Sequence, residues 1–353
     1  MLVLPNQKEL QYSGRIDFED PLAPVLIYAC SSVKIRFTGT SVKAVIENHH
    51  AYWTNRLGYI LDGEQGCFVL PDAEGKQVYT LAENLEEGEH ELLLFKRMDS
   101  CHTITFFGFE LDEGAKVLPL PQKPSRRMEF FGDSVSCGEV SEAVAYAGKE
   151  DPEHDGEYSN SWYSYAWMTA RRLGAEIHDT SQGGIALLNG TGWFGAPGYL
   201  GMEDCYDKLE YNPDLGVTKQ WDFSKYTPQV VVVAIGQNDS HPEDYMAENY
   251  NGEKAVYWRK HYRMFIERLM ELYPGAQIIL ATTILEHDAS WDRAIGEVCK
   301  EIGSSRVHHF LYSKNGCGTP GHIRIPEARQ MAEELTGFIE TLGDGIWAEE
   351  KGE

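Results

Sequence analysis

The chain has 353 residues, of which 42% are hydrophobic and 24% charged, a globular composition that excludes bulk disorder. Its length is about twice that of a typical domain, so we expect two domains. Asp and Glu number 55 against 31 Lys and Arg, and the formal net charge of -24 would repel nucleic acid and anionic membranes. A neutral substrate fits this charge better.

The N-terminal segment has no basic stretch followed by a sustained apolar run, so it does not resemble a secretory signal. The seven cysteines are scattered and form no Cys-x-x-Cys pair, which is typical of reduced thiols. Together these features predict a cytoplasmic protein. A secreted protein whose leader has been removed is the alternative.

The first 118 or so residues predict short strands without a long helix. Val33, Ile35 and Phe37 alternate with polar neighbours, as in a strand with one buried face. Asp62-Gly63 follows the apolar run at 59–61 and is a strong hairpin signal, because both residues tolerate positive φ. Several short strands of this kind indicate an all-β sandwich.

Residues 119–125 contain three prolines and predict an extended linker. We place the boundary near residue 123, which gives a sandwich domain at 1–123 and a second domain at 124–353. The second domain alternates strands and helices and is predicted to be a three-layer α/β fold with a parallel sheet. Its predicted strands lie at 127–131, 230–235, 277–282 and 307–311, and its predicted helices at 162–173, 255–273, 291–302 and 326–342.

Polar residues follow several of these strands, at the sheet edge where α/β proteins place their ligand crevice. The segments are Gly132-Asp133-Ser134, the stretch at 180–184, the stretch at 236–239 and, late in the chain, Gly321-His322. Each segment alone is equally typical of a turn, a loop closure or a helix cap. Their joint occurrence in chain order at one edge predicts a functional site.

These four segments resemble the four blocks of the SGNH (GDSL-type) hydrolases, and the resemblance spans roughly residues 127–342. The preceding β-rich module, the sequence Gly-Asp-Ser-Val-Ser-Cys-Gly and the Trp-Asp-Phe at 221–223 narrow it further. Together they resemble the family two carbohydrate esterases. That resemblance implies a jelly-roll-like sandwich followed by an SGNH domain, and the removal of acetyl groups from xylan and related sugars.

The resemblance implies Ser134 as the nucleophile and His322 as its base, since a serine hydroxyl attacks an ester only when a neighbouring imidazole takes its proton. It also implies an oxyanion hole made of the backbone N–H groups of Ser134 and Gly183 and the side-chain amide of Asn238. Gly184 is the alternative to Gly183 if the loop aligns one residue later.

Trp291 begins a predicted helix and is a candidate wall of the substrate site, with burial as a core anchor an equally good interpretation. Trp193 and Trp258 have less support for a similar role. The histidines and cysteines show no spacing typical of a metal site, so neither a metal nor a cofactor is expected.

One position departs from the pattern. Most SGNH hydrolases carry an Asp three residues before the catalytic His, but here that residue is Thr319, and no acid lies between Asn315 and His322. We therefore predict a Ser–His dyad in which His322 Nδ1 is hydrogen-bonded to a backbone carbonyl. Asp288 or Asp292 folding back to His322 is the alternative.

The expected function is a serine esterase that deacetylates sugars or xylo-oligosaccharides through an acyl-enzyme. A lipid or thioester hydrolase of the same fold is one alternative, because fold does not determine substrate. An inactive carbohydrate-binding protein is another. The expected partner is a small acetylated saccharide, and a homo-oligomer is left open. The sandwich is expected to pack against the catalytic half, with glycan binding as the alternative.

Overall fold

The computed structural model describes residues 1–193, 199–212 and 214–348. Its N-terminal part consists of two antiparallel sheets that pack face to face, which confirms the predicted sandwich. One sheet has the order β3-β4-β11-β6-β9 with β1 beside β11, and the other has the order β12-β5-β10-β7-β8 with β2 beside β5. These strands are β1 Leu2–Val3, β2 Gln11–Ser13, β3 Ile16–Asp17, β4 Val25–Leu26, β5 Ser32–Thr38, β6 Val42–His50, β7 Arg56–Leu61, β8 Glu64–Val69, β9 Gln77–Ala82, β10 Glu89–Lys96, β11 His102–Leu111 and β12 Val117–Leu118.

The alternating pattern of the sequence accounts for the sandwich core. Val33, Ile35 and Phe37 of β5 point inward and are fully buried, while Lys34, Arg36 and Thr38 are partly exposed. The predicted hairpin joins β7 to β8 through Asp62 at φ 51° and Gly63 at φ 89°. Both φ values are positive, as a two-residue type I′ hairpin turn requires.

The C-terminal part is a five-stranded parallel sheet of order β14-β13-β17-β18-β19, with a small antiparallel pair of β15 and β16 beside it. The predicted boundary near residue 123 falls between β12 and β13, in residues that belong to no strand or helix. The strands are β13 Arg126–Gly132, β14 Ala175–Ser181, β15 Lys208–Asn212, β16 Val217–Gln220, β17 Val230–Ala234, β18 Gln277–Ala281 and β19 Val307–His309.

Helices cover both faces of this sheet, so the predicted three-layer α/β fold is confirmed. Residues of α2 and α7 pack on one face with Val230 and Val232, and residues of α5 and α6 pack on the other with Val231 and Val233. The helices are α1 Ser134–Cys137, α2 Tyr165–Arg172, α3 Met202–Cys205, α4 Tyr245–Glu248, α5 Glu253–Leu272, α6 Ala289–Ile302 and α7 Ile325–Thr341, with 3-10 turns at Val144–Tyr146, Ser161–Tyr163, Phe223–Lys225, Asn238–Ser240 and Asp344–Trp347.

One predicted helix is interrupted, and the ends of the other predicted strands and helices of this half differ from the observed ones by at most two residues. The helix predicted at 162–173 is interrupted, because Ser164 has an extended backbone and caps α2 by accepting a hydrogen bond from the Trp167 N–H at 3.1 Å. The last strand ends at His309 and not at 311. None of the described helices is long and apolar enough to span a membrane.

The sandwich packs against the parallel-sheet half through a buried charge pair. Arg15, from the sandwich, lies 2.9 Å from Glu129 of β13, and both side chains are fully buried. The hydroxyls of Thr180 and Tyr273 also donate to the Glu129 carboxylate. This carboxylate therefore joins the sandwich to three segments of the parallel-sheet half.

The strand order determines where a ligand crevice forms. From β13 the chain moves to β14 on one side and later to β17 on the other. The connections leave these neighbouring strands in opposite directions, which opens a crevice at their carboxyl ends. Ser134 follows β13 and Asn238 follows β17, so both begin at this crevice.

Candidate active site

Ser134 lies where the chain turns from β13 into the short helix α1. Asp133 caps α1 by accepting a hydrogen bond from the Val135 N–H at 3.0 Å. Gly138 ends α1 in the left-handed region at φ 77°, which glycine adopts without strain. This tight strand-to-helix turn holds Ser134 at the floor of a cleft, where the residue is 7% exposed.

His322 precedes α7 and faces the serine. Its Nε2 lies 2.9 Å from Ser134 Oγ, although the two residues are 188 positions apart in the chain. This distance is within hydrogen-bond reach for proton transfer. The structure therefore brings together the two residues that the sequence predicted as nucleophile and base.

Asp151 orients the histidine. Its Oδ2 lies 2.5 Å from His322 Nδ1, and its Oδ1 accepts a hydrogen bond from the His322 backbone N–H at 2.8 Å. Arg324 donates to the same Oδ1 at 2.8 Å and holds the carboxylate in place. The predicted dyad, with Nδ1 bonded to a backbone carbonyl, is therefore wrong, because a carboxylate occupies that position.

Neither aspartate that we considered as an alternative reaches His322. Asp288 caps α6 by accepting a hydrogen bond from the Ser290 N–H at 2.8 Å. Asp292 lies 3.0 Å from Nε2 of a different histidine, His287. The acid instead comes from the loop between the 3-10 turn at Val144–Tyr146 and α2, where the sequence predicted no site residue.

Gly321 is the one sequence signal that relates to Asp151. A Cβ at this position would lie 2.6 Å from both Asp151 Oδ1 and the backbone oxygen of Lys149. Only glycine therefore lets the loop approach the chain beside His322 so closely. A glycine at this position indicates that another segment approaches closely, but it does not identify the residue that does so.

Some of the donors predicted for the oxyanion hole are available in this structure, and others are already hydrogen-bonded to a neighbouring residue. Asn238 follows β17 and donates from Nδ2 to Asp133 Oδ2 at 3.2 Å, which orients its amide beside Ser134. Gln237 donates to the same oxygen at 2.7 Å. An amide nitrogen carries two hydrogens, so Asn238 keeps one for another acceptor.

The Gly183 N–H is engaged elsewhere. It donates to Asp99 Oδ2 at 2.7 Å, and the side chain of Gln182 donates to the same oxygen at 3.0 Å. The donor that the resemblance implied is thus already bonded. Gly184, the alternative, lines the cleft beside Ser134, and no acceptor for its N–H occurs among residues 1–193, 199–212 and 214–348.

The carboxylates around His322 favour its charged form. Burial alone would lower the pKa of His322, but the nearby Glu139 and Asp151 outweigh burial and raise the pKa above its ordinary value. Burial acts to raise the pKa of Asp151, but the hydrogen bond from His322 and the charges of His322 and Arg324 hold the pKa well below its usual range. Asp151 is therefore ionised at neutral pH and stabilises an imidazolium at His322.

The cleft above this group has a volume of about 580 Å³, within the usual range for a small-molecule site. Its wall is partly aromatic. Trp193 is 66% exposed, and the centroid of its ring lies 4.8 Å from that of His241. The ring centroid of Trp53, a residue of the sandwich, lies 4.7 Å from that of His154. Because Trp53 belongs to the sandwich, both halves of the molecule form the cleft.

Trp291 is not part of this wall. The residue is fully buried, its Nε1 donates to Asp244 at 3.0 Å, and its ring packs 5.3 Å from Trp258. The prediction of Trp291 as a substrate wall is therefore wrong. The apolar face of α6 turns toward the sheet, so a residue at the start of this helix anchors the core.

The parallel sheet with helices on both faces is the fold class predicted from the SGNH resemblance, and Ser134, His322 and Asp151 lie at its carboxyl edge in the arrangement of a nucleophile, a base and an acid. Comparison with known proteins indicates which family of this class the chain resembles. Residues 12–121 match the carbohydrate esterase 2 N-terminal family. The chain is 32% identical over 339 residues to the cellulase/esterase CelE of Acetivibrio thermocellus. This match covers 93% of this chain but only 39% of CelE, so the chain spans less than half the length of that relative.

Two further likenesses extend over nearly the whole chain. The acetylxylan esterase/glucomannan deacetylase of Cellvibrio japonicus is 26% identical over 347 residues, which is 97% of this chain and 91% of that protein. A family two carbohydrate esterase from Clostridium thermocellum, solved in complex with cellohexaose, is 28% identical with a TM-score of 0.79. That match covers 96% of this chain and all 100% of the solved one. The predicted resemblance to the family two carbohydrate esterases is thereby confirmed.

Proposed function

We propose that this chain is a serine esterase that removes acetyl groups from acetylated sugars or xylo-oligosaccharides through an acyl-enzyme intermediate. One observation carries the proposal: Ser134 Oγ lies 2.9 Å from His322 Nε2, and Asp151 lies 2.5 Å from His322 Nδ1. The relatives named for acetylxylan and glucomannan deacetylation, and the one solved with cellohexaose, support a sugar ester as the substrate.

In the first step, Ser134 Oγ attacks the carbonyl carbon of the acetyl ester while His322 Nε2 takes the hydroxyl proton. The new C–O bond shifts the carbonyl electron pair to oxygen and forms a tetrahedral oxyanion. When this intermediate collapses, the bond to the sugar breaks. His322 Nε2 then returns its proton to the departing sugar oxygen, and acetyl-Ser134 remains.

The oxyanion of this intermediate needs preorganised donors. We assign this role to the backbone N–H groups of Ser134 and Gly184 and to the second Nδ2 hydrogen of Asn238. The Gly183 N–H is bonded to Asp99 and instead holds the loop in place. Asn238 donates without adding charge, which suits a negative charge that exists only transiently.

The second step repeats the chemistry with water. His322 takes a proton from a water molecule, the water oxygen attacks the acetyl carbonyl, and Ser134 leaves with the proton returned by His322. Acetate is released and the free enzyme is restored. Asp151 stabilises the imidazolium that forms in both steps, since its pKa stays well below neutrality.

The proposed partner is a small acetylated saccharide. A cytoplasmic location stays a prediction from the sequence, and a homo-oligomer stays open. Neither bears on the assignment of the reaction.

The decisive experiment replaces the nucleophile. Ser134→Ala is expected to lower turnover of p-nitrophenyl acetate and of acetylated xylo-oligosaccharides by up to about 10⁶-fold, the loss that follows removal of a triad serine. Ser136→Ala is the matched control, because Ser136 lies in the same short helix and bonds Tyr165 at 2.9 Å instead of His322. Retention of more than a tenth of the activity in Ser134→Ala would overturn the proposal, and absence of turnover in the unaltered protein would favour a binding protein.

A further inference from the structure

Glu139 is a carboxylic acid in the cleft that the mechanism above does not use. It follows Gly138 at the end of α1, and its backbone N–H donates to the carbonyl of Ser134 at 3.0 Å. Its side chain is 15% exposed and lines the same cleft as Ser134 and His322. The backbone hydrogen bond therefore fixes the main chain of Glu139 relative to the nucleophile.

The Glu139 carboxyl lies on the reacting side of the histidine. Its Oε1 is 4.0 Å from His322 Nε2, the nitrogen that faces Ser134, whereas Asp151 lies on the opposite side at Nδ1. The buried Asp133 and the histidine partner Asp151 accept several hydrogen bonds each. Within the part of the chain that the structure describes, no group donates a hydrogen bond to the Glu139 carboxyl.

The surroundings of Glu139 favour a partner that both donates and accepts. Burial, together with the negative charges of Asp99, Asp151 and Asp133, raises the pKa of Glu139 to about 7, against the opposing effect of His322. The group therefore exists near neutrality as both carboxylate and acid. A carboxylate only accepts hydrogen bonds, while an acid also donates, and a hydroxyl group satisfies either form.

The reaction places such a hydroxyl nearby. The departing sugar oxygen must come within hydrogen-bond reach of His322 Nε2 to receive its proton. On a pyranose ring, the hydroxyl of the adjacent carbon lies next to that oxygen. Since Glu139 Oε1 lies 4.0 Å from the same nitrogen, this adjacent hydroxyl can reach the Glu139 carboxyl.

From this geometry we infer that Glu139 binds the free hydroxyl on the carbon next to the acetylated one and so determines substrate specificity. The inference rests on the proposed function and adds which sugar esters the site prefers. A site built to hydrogen-bond a substrate hydroxyl discriminates against an analogue without it, because its polar group is then left unpaired. Sugars acetylated at one position with a free neighbour are thus the preferred class.

The test compares two substrates in two proteins. One substrate is a mono-acetylated xylopyranoside with a free hydroxyl on the carbon beside the ester, and the other is its deoxy analogue at that carbon. The quantity measured is the ratio of kcat/KM for the two esters. In the unaltered protein this ratio is expected to exceed about ten. In Glu139→Gln it is expected to fall by about five- to tenfold, because the hydroxyl then bonds a neutral amide instead of a charged carboxylate.

Glu286→Gln is the matched control, because Glu286 is an exposed carboxylate at the rim of the same cleft. It removes the same charge and is expected to leave the ratio within about twofold of its original value, since exposed charges are screened. A ratio near one in the unaltered protein, with both esters hydrolysed, would overturn the inference alone. So would an equal loss on both esters in Glu139→Gln, which would mean that Glu139 acts through His322. Hydrolysis of neither ester would overturn the proposed function together with the inference.

Discussion

Asp99 Oδ2 lies 2.7 Å from the backbone nitrogen of Gly183, and this contact joins the two halves of the molecule at the active site. Asp99 follows β10 of the sandwich, whereas Gly183 lies in the loop after β14 of the parallel sheet. A Cβ on Gly183 would lie 2.6 Å from the same carboxylate oxygen. The sandwich therefore sets the position of the loop that carries Gly184, and it is a structural part of the site.

We expect Asp99→Ala to lower kcat by about 100-fold, because displacing a group near the reacting atoms by about 1 Å is sufficient for such a loss. The measurement is steady-state hydrolysis of p-nitrophenyl acetate, with circular dichroism to verify the fold. Asp72→Ala is the control, since Asp72 belongs to the same domain and its side chain is 85% exposed. Equal activity of both variants would show that the loop keeps its position without Asp99.

Asp151→Asn is expected to lower kcat by about 10⁴-fold, as removal of the triad aspartate does in a serine protease. The amide keeps the size of the carboxylate but cannot stabilise the imidazolium of His322. Asp292→Asn is a control, because Asp292 also pairs with a histidine, at 3.0 Å from His287 Nε2, and neither of these two residues lines the cleft. A loss of less than tenfold in Asp151→Asn would instead support a Ser–His dyad that works without the carboxylate.

The pH dependence of the reaction should follow His322, which acts as a base only when neutral. Neighbouring carboxylates raise the pKa of His322, so the acidic limb of kcat/KM is expected to have its midpoint above about 6.5, the ordinary histidine value. Activity is lost as the pH falls through this midpoint. In Asp151→Asn the residual activity should have its midpoint at lower pH, and an unshifted limb would contradict the assignment of Asp151.

Arg15→Met is expected to lower the free energy of unfolding by about 3–5 kcal/mol, because it leaves the carboxylate of Glu129 buried without a cation. Chemical denaturation monitored by tryptophan fluorescence measures the change. Arg36→Met is the control: its partner Glu89 is 58% exposed, and exposed pairs contribute at most about 1 kcal/mol. The double variant Arg15→Met/Glu129→Gln should recover part of the loss, and equal effects of Arg15→Met and Arg36→Met would contradict the role of the buried pair.

Acetyl esters should be hydrolysed much faster than octanoyl esters. The cleft beside Ser134 includes the polar side chains of Glu139, Asp151 and Asn238. A long acyl chain would have to desolvate these groups without bonding them, which is unfavourable. The ratio of kcat/KM for p-nitrophenyl acetate and octanoate measures this preference. A preference for octanoate would favour the alternative of a lipid hydrolase.

The sequence by itself predicted the two-layer and three-layer parts of the fold and the pair Ser134 and His322. Alternation along β5 and the uninterrupted apolar run of β17 reflect burial on one face or on both, which is a local property of each strand. The residues after parallel strands meet at one edge because chain connectivity requires it. Local patterns and topology were therefore sufficient for the fold and for the edge of the sheet that carries the site, and the family resemblance then indicated Ser134 and His322.

The tertiary structure alone decided which groups surround His322. Asp151 lies 171 residues before the histidine, in a loop without a periodic pattern, so no local signal connects the two. Trp291 could be read equally as a cleft wall or a core anchor, and only the packing of α6 on the sheet shows that it is buried. The bond from Gly183 to Asp99 depends on how the sandwich docks. Contacts of this kind depend on the relative placement of distant elements, which local sequence does not determine.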